Sequence, residues 1–101
     1  MAITSKQSND GNQVTIFIQG RFDFSSHQEF RAAYEKLPKT PTHIRVDLQE
    51  TTYLDSSALG MLLLLRDYAG GDKADIEIVN CSSDVKKILT ISNFEQLFTI
   101  H

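Results

Sequence analysis

Three stretches of the chain alternate apolar and polar residues with a period of two, which predicts strands with one buried face. In "VTIFIQG", Val14, Ile16 and Ile18 share a side; in "HIRVDL", Ile44, Val46 and Leu48 point inward and His43, Arg45 and Asp47 outward. "ADIEIVN" is a third strand, and "QLFTI" is placed to close the sheet. Asn9-Asp10-Gly11 is a turn signal, so the first ten residues are expected to pair with "VTIFIQG" as a hairpin.

Between the strands the period changes to that of a helix. In "SSHQEFRAAYEKLPK", Phe30, Ala33, Tyr34 and Leu37 form one stripe, Ser26 and Glu29 have capping-box spacing, and Pro38 stops the helix. "SSDVKKILTISN" puts Val85, Ile88, Leu89 and Ser92 on one face, with Asn93 as C-terminal cap. Ser57 to Ala69 is a helix ended by Gly70-Gly71. It is apolar nearly all round, which predicts the most buried helix of the fold. Gly60 inside it costs about 1 kcal/mol relative to alanine, and close packing against a neighbour is the expected reason.

The resulting order, β-β-α-β-α-β-α-β, predicts an α/β fold with a mixed sheet of about five strands, parallel where helices cross over. The clean alternation of "HIRVDL" predicts that one sheet face is less covered than in a doubly wound fold. A chain of 101 residues, 41% hydrophobic and 23% charged, fits a single ordered domain. Its net charge is −3 and its basic residues are scattered, which argues against nucleic acid as the partner. Cys81 is the only cysteine, so neither an internal disulfide nor a thiolate metal site is expected. The first ten residues hold no basic region followed by an apolar run, so no signal peptide is expected, and the longest apolar stretch, which stops at Arg66-Asp67, is too short to span a bilayer; the expected location is the cytoplasm.

The chemistry concentrates in "TYLDSSALGMLLLL", where a strand runs through Asp55-Ser56-Ser57 into the leucine-rich helix. Three readings compete: a helix cap, a catalytic serine and a serine that is modified. A nucleophile elbow needs small residues two positions either side of the serine, and neither Ser56 nor Ser57 has them. The available bases, His27, His43 and His101, read as surface residues, and no pair of His or Cys has metal-ligand spacing. A cap needs one of the three polar residues and leaves the others free. A phosphate on Ser56 would be tolerated, because a helix N-terminus favours an anion by about 0.3–2 kcal/mol. It would add roughly −1.5 to −2 charges to a patch shared with Asp55, and with Asp23 if its loop lies close. An acidic or apolar partner surface over Ser56 would then be repelled. Met61, Leu64 and Leu65 lie on a side of the helix that reads either as plain core or as a partly exposed docking strip, and together with Ala58 and Phe24 they are the candidate partner-contacting positions.

"YLDSSALGMLLLLRDYA" resembles the D-S-[ST]-G-[LI]-[GA] signature of STAS domains, in particular the anti-sigma factor antagonists. "IQGRFDF" resembles the family's glycine-acid segment after the second strand, and "VNCSSDVKKILTISNFEQLFTI" its C-terminal helix and last strand. Stand-alone STAS regulators of bacterial biofilm formation and motility are similar as well. The resemblance implies a curved sheet with helices mainly on one face, and neither catalysis nor a cofactor. It implies that Ser56 is phosphorylated by a partner serine kinase of the GHKL ATPase type and dephosphorylated by a PP2C-type phosphatase. The unphosphorylated form would bind an anti-sigma factor, or another signalling protein, and so release a sigma factor. Asp23 and Asp55 map onto acids beside the phosphoacceptor, and Ser57 onto the second hydroxyl position. Ala58 stands where the family usually has glycine, which a helical position accepts. The alternative is a STAS scaffold that is never phosphorylated; a hydrolase ranks last.

Overall fold

The computed structural model describes residues 2–38 and 40–101; Met1 and Lys39, which bound two of the stretches read above, lie outside the described residues. The chain runs β1 (Ile3–Gln7), β2 (Gln13–Ile18), β3 (Gly20–Phe22), α1 (His27–Glu35), β4 (His43–Asp47), β5 (Thr51–Leu54), α2 (Ser56–Tyr68), β6 (Ile76–Val79), α3 (Ser83–Ile91) and β7 (Thr99–Ile100). Five strands form one mixed sheet in the order β1-β2-β4-β6-β7. The β1–β2 hairpin is antiparallel and the other neighbours are parallel, as helical crossovers require. Val14, Ile16, Ile18, Ile44, Val46, Ile76 and Ile78 line the inner face and are buried together with Phe30, Leu62, Leu65 and Leu89 of the helices. An aromatic chain joins ribbon to helices: Phe22 to Phe30 (5.0 Å between centroids), Phe30 to Tyr34 (5.6 Å), Tyr34 to Tyr68 (4.9 Å).

Two strands escaped the period-two pattern. β3 has three residues and β5 buries only its ends, so neither shows alternation. They pair with each other, in parallel, as a separate two-stranded ribbon. The segment entering the serines therefore ends this ribbon and not a strand of the main sheet. The ribbon is tied to β2 by the buried Thr51 hydroxyl, which donates to the Ile18 carbonyl at 2.7 Å.

Other local expectations shift for physical reasons. Ser26 has helical backbone angles, so its hydroxyl does not cap α1 and instead donates to the Arg21 carbonyl. The Glu29 carboxylate turns away from Ser26 and accepts the Ile3 backbone N–H at 3.2 Å. α2 is not buried all round: Ala58, Met61, Leu62 and Leu65 face the core, whereas Ser56, Gly60, Leu63, Leu64 and Asp67 are exposed. Gly60 has no neighbouring atom within 4 Å of where a Cβ would stand, so close packing is not its reason.

The sheet's outer face carries an ion cluster. Glu77 receives Arg45 at 2.8 Å, His43 Nε2 at 2.9 Å and His101 Nε2 at 2.7 Å, while His43 Nδ1 meets Asp75 at 3.0 Å. His43 points outward as its strand position predicted, but it is a held residue rather than a free surface one. The hydrogen bond from His43, supported by Arg45 and His101, outweighs burial and holds the Glu77 pKa down to about 2. Burial pulls the His43 pKa down, but the bonds to Glu77 and Asp75 outweigh it and set it above its ordinary value. The Glu77 contribution is present above its unfolded value of 4.5 and is lost as pH falls through about 2. The His43 contribution is present below 6.5 and is lost as pH rises through its raised value. Glu77→Gln is expected to remove about 2 kcal/mol at pH 6, after screening, and to flatten the acid limb of the stability curve. Urea titrations between pH 2 and 6 check it; an unchanged acid limb contradicts it.

Candidate functional site

The ribbon builds the site. β3 and β5 end in register, Phe22 opposite Leu54, and each is followed by an extended aspartate, Asp23 and Asp55. Each aspartate opens a helical turn. Asp23 Oδ1 accepts the Ser25 N–H at 3.0 Å and the Ser25 hydroxyl at 2.5 Å. Asp55 Oδ1 accepts the Ala58 N–H at 3.0 Å and the Ser57 hydroxyl at 2.6 Å. The Ser57 hydroxyl and the Ala58 N–H lower the Asp55 pKa, against the opposing charge of Asp23. Asp23 is lowered too, chiefly by the Ser25 hydroxyl and with help from Arg21. Both carboxylates are ionised at neutral pH, close enough to feel each other.

This arrangement resolves the polar triplet. Asp55 supplies the cap, and Ser57 is spent on Asp55. Ser56, the first residue of α2, is exposed, and among the described residues its hydroxyl has no hydrogen-bond partner. Counting on from the strand register, Phe24 holds on its turn the position that Ser56 holds on α2, and it is 75% exposed. His27 stacks on Phe24 at 6.1 Å, and Arg21 lies 4.4 Å over the Tyr53 ring. No histidine is hydrogen-bonded to either serine among the described residues: His43 and His101 are held at Glu77.

The partner-contacting positions need correction. Ala58, Met61 and Leu65 are buried and cannot form a docking strip. Leu64 is 50% exposed and Leu63 is 39% exposed, on the side of α2 that carries Ser56 and Gly60. Helical geometry explains the exchange, because Ser56, Gly60, Leu63, Leu64 and Asp67 fall at i, i+4, i+7, i+8 and i+11. Leu63 and Gly60 were missed, although that spacing from Ser56 was open to reading.

Residues 5–99 match the family described as "Mlab, STAS domain". The chain belongs to the STAS family. A STAS-domain containing protein of Pseudomonas aeruginosa (strain UCBPP-PA14) is 65% identical over 100 residues, covering 99% of each chain. Among solved structures, a putative anti-sigma factor antagonist from Thermotoga maritima superposes with a TM-score of 0.82 at 16% identity, over 97% of this chain and 84% of its own. The phosphorylated form of the Bacillus cell fate determinant SpoIIAA gives 0.74 at 18% identity, over 99% of this chain and 91% of its own. At such identities these two structures establish the fold, a STAS sheet with three helices. Among the described residues no helix of this STAS domain is long and apolar enough to cross a membrane, and no group of three His, Cys, Asp or Glu could hold a metal. Burial of the half-buried Cys81 raises its thiol pKa, away from the reactive range.

Proposed function

We propose that this STAS domain is an anti-sigma factor antagonist, a cytoplasmic single-domain binding module switched by phosphorylation of Ser56 and not an enzyme. The observation that carries the reading is the division of labour in Asp55-Ser56-Ser57: cap, free hydroxyl, bound hydroxyl. Unphosphorylated, the module docks an anti-sigma factor or analogous signalling partner on the surface of Ser56, Phe24, Leu63 and Leu64, and the sigma factor is released. The anti-sigma factor is itself, or is accompanied by, a GHKL-type serine kinase, and a PP2C-type phosphatase restores binding. SpoIIAA, an anti-sigma factor antagonist among the structural neighbours, exists in unphosphorylated and phosphorylated forms; that is a property of SpoIIAA, and here it supports the choice of switch. Nucleic acid and membrane have no part in the scheme.

A phosphate on Ser56 meets the first-turn N–H groups of α2, which favour it, and the Asp23–Asp55 pair, which concentrates negative charge around it. The fold is kept while the docking surface changes sign. Incubation with the cognate kinase and ATP is expected to place one phosphate on Ser56, located by peptide mass spectrometry, and none on Ser56→Ala. Phosphate retained by Ser56→Ala would refute Ser56 as acceptor, and no phosphate on either chain would favour the unmodified scaffold.

A further inference from the structure

The sheet has an edge that the Ser56 surface does not use. In the β1–β2 ladder the Ala2 carbonyl accepts the Gln19 N–H at 2.7 Å, toward β2, whereas the Ile3 N–H points the other way, to Glu29. Antiparallel strands alternate, so Thr4 and Lys6 bond to β2, while Ile3 and Ser5 direct their backbone groups to the outer edge. Beside that edge runs α1, in the same direction as β1: Glu29 stands level with Ile3, and Ala32, Ala33 and Lys36 line the groove with Ser5. The groove holds about 410 Å³, and the alanines leave it open. Ser5 faces the helix side of the sheet yet is exposed, because nothing covers it.

We propose that β1 is a self-association edge, at which a second copy of this chain adds its own β1 antiparallel and extends the five-stranded sheet to a continuous one across a twofold axis. Ser5 is the middle residue of β1. Pairing it with Ser5 of the second copy places Ile3 opposite Gln7 and Thr4 opposite Lys6, so the two lysines do not face each other. The Ile3 N–H then passes from the Glu29 carboxylate to the backbone of the incoming strand. The same twofold sets the first turn of one α1 against the last turn of the other, with alanines at the level of the axis. The freed Glu29 there meets Lys36 of the second copy, and the contact is made twice. This charge complementarity favours a second copy over an unrelated extended peptide.

Sedimentation velocity over about 1–200 µM is expected to show a monomer–dimer equilibrium. Ser5→Pro removes only an outward N–H and suits an edge strand; it is expected to raise the dimer Kd roughly thirtyfold or more with an unchanged circular dichroism spectrum. Lys36→Glu is expected to raise it about tenfold, and Glu29→Lys combined with Lys36→Glu to restore it, a comparison that stands even where Ser5→Pro does not fold. A chain that stays monomeric throughout overturns the proposal, as does a dimer indifferent to both sets of changes. Binding of an added strand peptide by a strictly monomeric chain would assign the edge to another partner and equally refute self-association.

Discussion

A chain carrying phosphate on Ser56 is expected to bind the proposed anti-sigma partner roughly a thousandfold more weakly than the unmodified chain. The magnitude follows from the setting. The phosphate brings roughly −1.5 to −2 charges to a point already flanked by two ionised carboxylates, Asp23 and Asp55. Ser56 opens the exposed face that continues through Gly60 to Leu63 and Leu64, so a partner on that face must desolvate the phosphate or leave its contact with the leucines. A like-charge or desolvation penalty of about 4 kcal/mol corresponds to a thousandfold. Ser56→Asp supplies one charge without the phosphate geometry and is expected to give a smaller loss, about tenfold. Titration calorimetry of the three forms checks the order; equal affinities contradict an electrostatic switch.

Neighbouring leucines of α2 should behave as different classes of residue. Leu65→Ala removes a side chain with no solvent exposure and is expected to cost about 2–5 kcal/mol of stability. Leu64→Ala, at a half-exposed position, is expected to stay within about 0.5 kcal/mol in stability yet to weaken partner binding by about 1–2 kcal/mol. Denaturant unfolding and partner titration on the same two variants separate stability from binding. A Leu64→Ala chain that keeps full affinity removes α2's outer face from the docking surface.

These two leucines also mark how far the sequence could be read. Where one face alone was apolar, in β2, β4, α1 and α3, periodicity assigned both element and orientation, and the core followed. α2 is apolar on both faces, so periodicity carried no phase and left Met61, Leu64 and Leu65 between core and docking strip; the fold buries Met61 and Leu65 and exposes Leu64. Ser56 supplies the phase once the helix start is known. The ribbon was illegible for a different reason: β3 and β5 are short, distant in sequence and without alternation, so only tertiary pairing shows that Asp23 and Asp55 leave adjacent strand ends. The triplet itself was legible as over-provided for a cap. Which member caps and which is tied depended on rotamers, and those place Asp55 and Ser57 in one hydrogen-bonded unit. Glu29 was misassigned because capping-box spacing is a local signal, and a strand N–H from β1 competes for the same carboxylate.

In the proposed switch, an unmodified Ser56 surface displaces a sigma factor from its inhibitor. Adding the unphosphorylated chain to a preformed complex of anti-sigma and sigma factor, and following free sigma factor by size-exclusion chromatography, tests it most directly. Release by the unmodified chain, with none by the chain phosphorylated at Ser56, is the predicted result. Equal release by both forms, or by neither, would contradict the account.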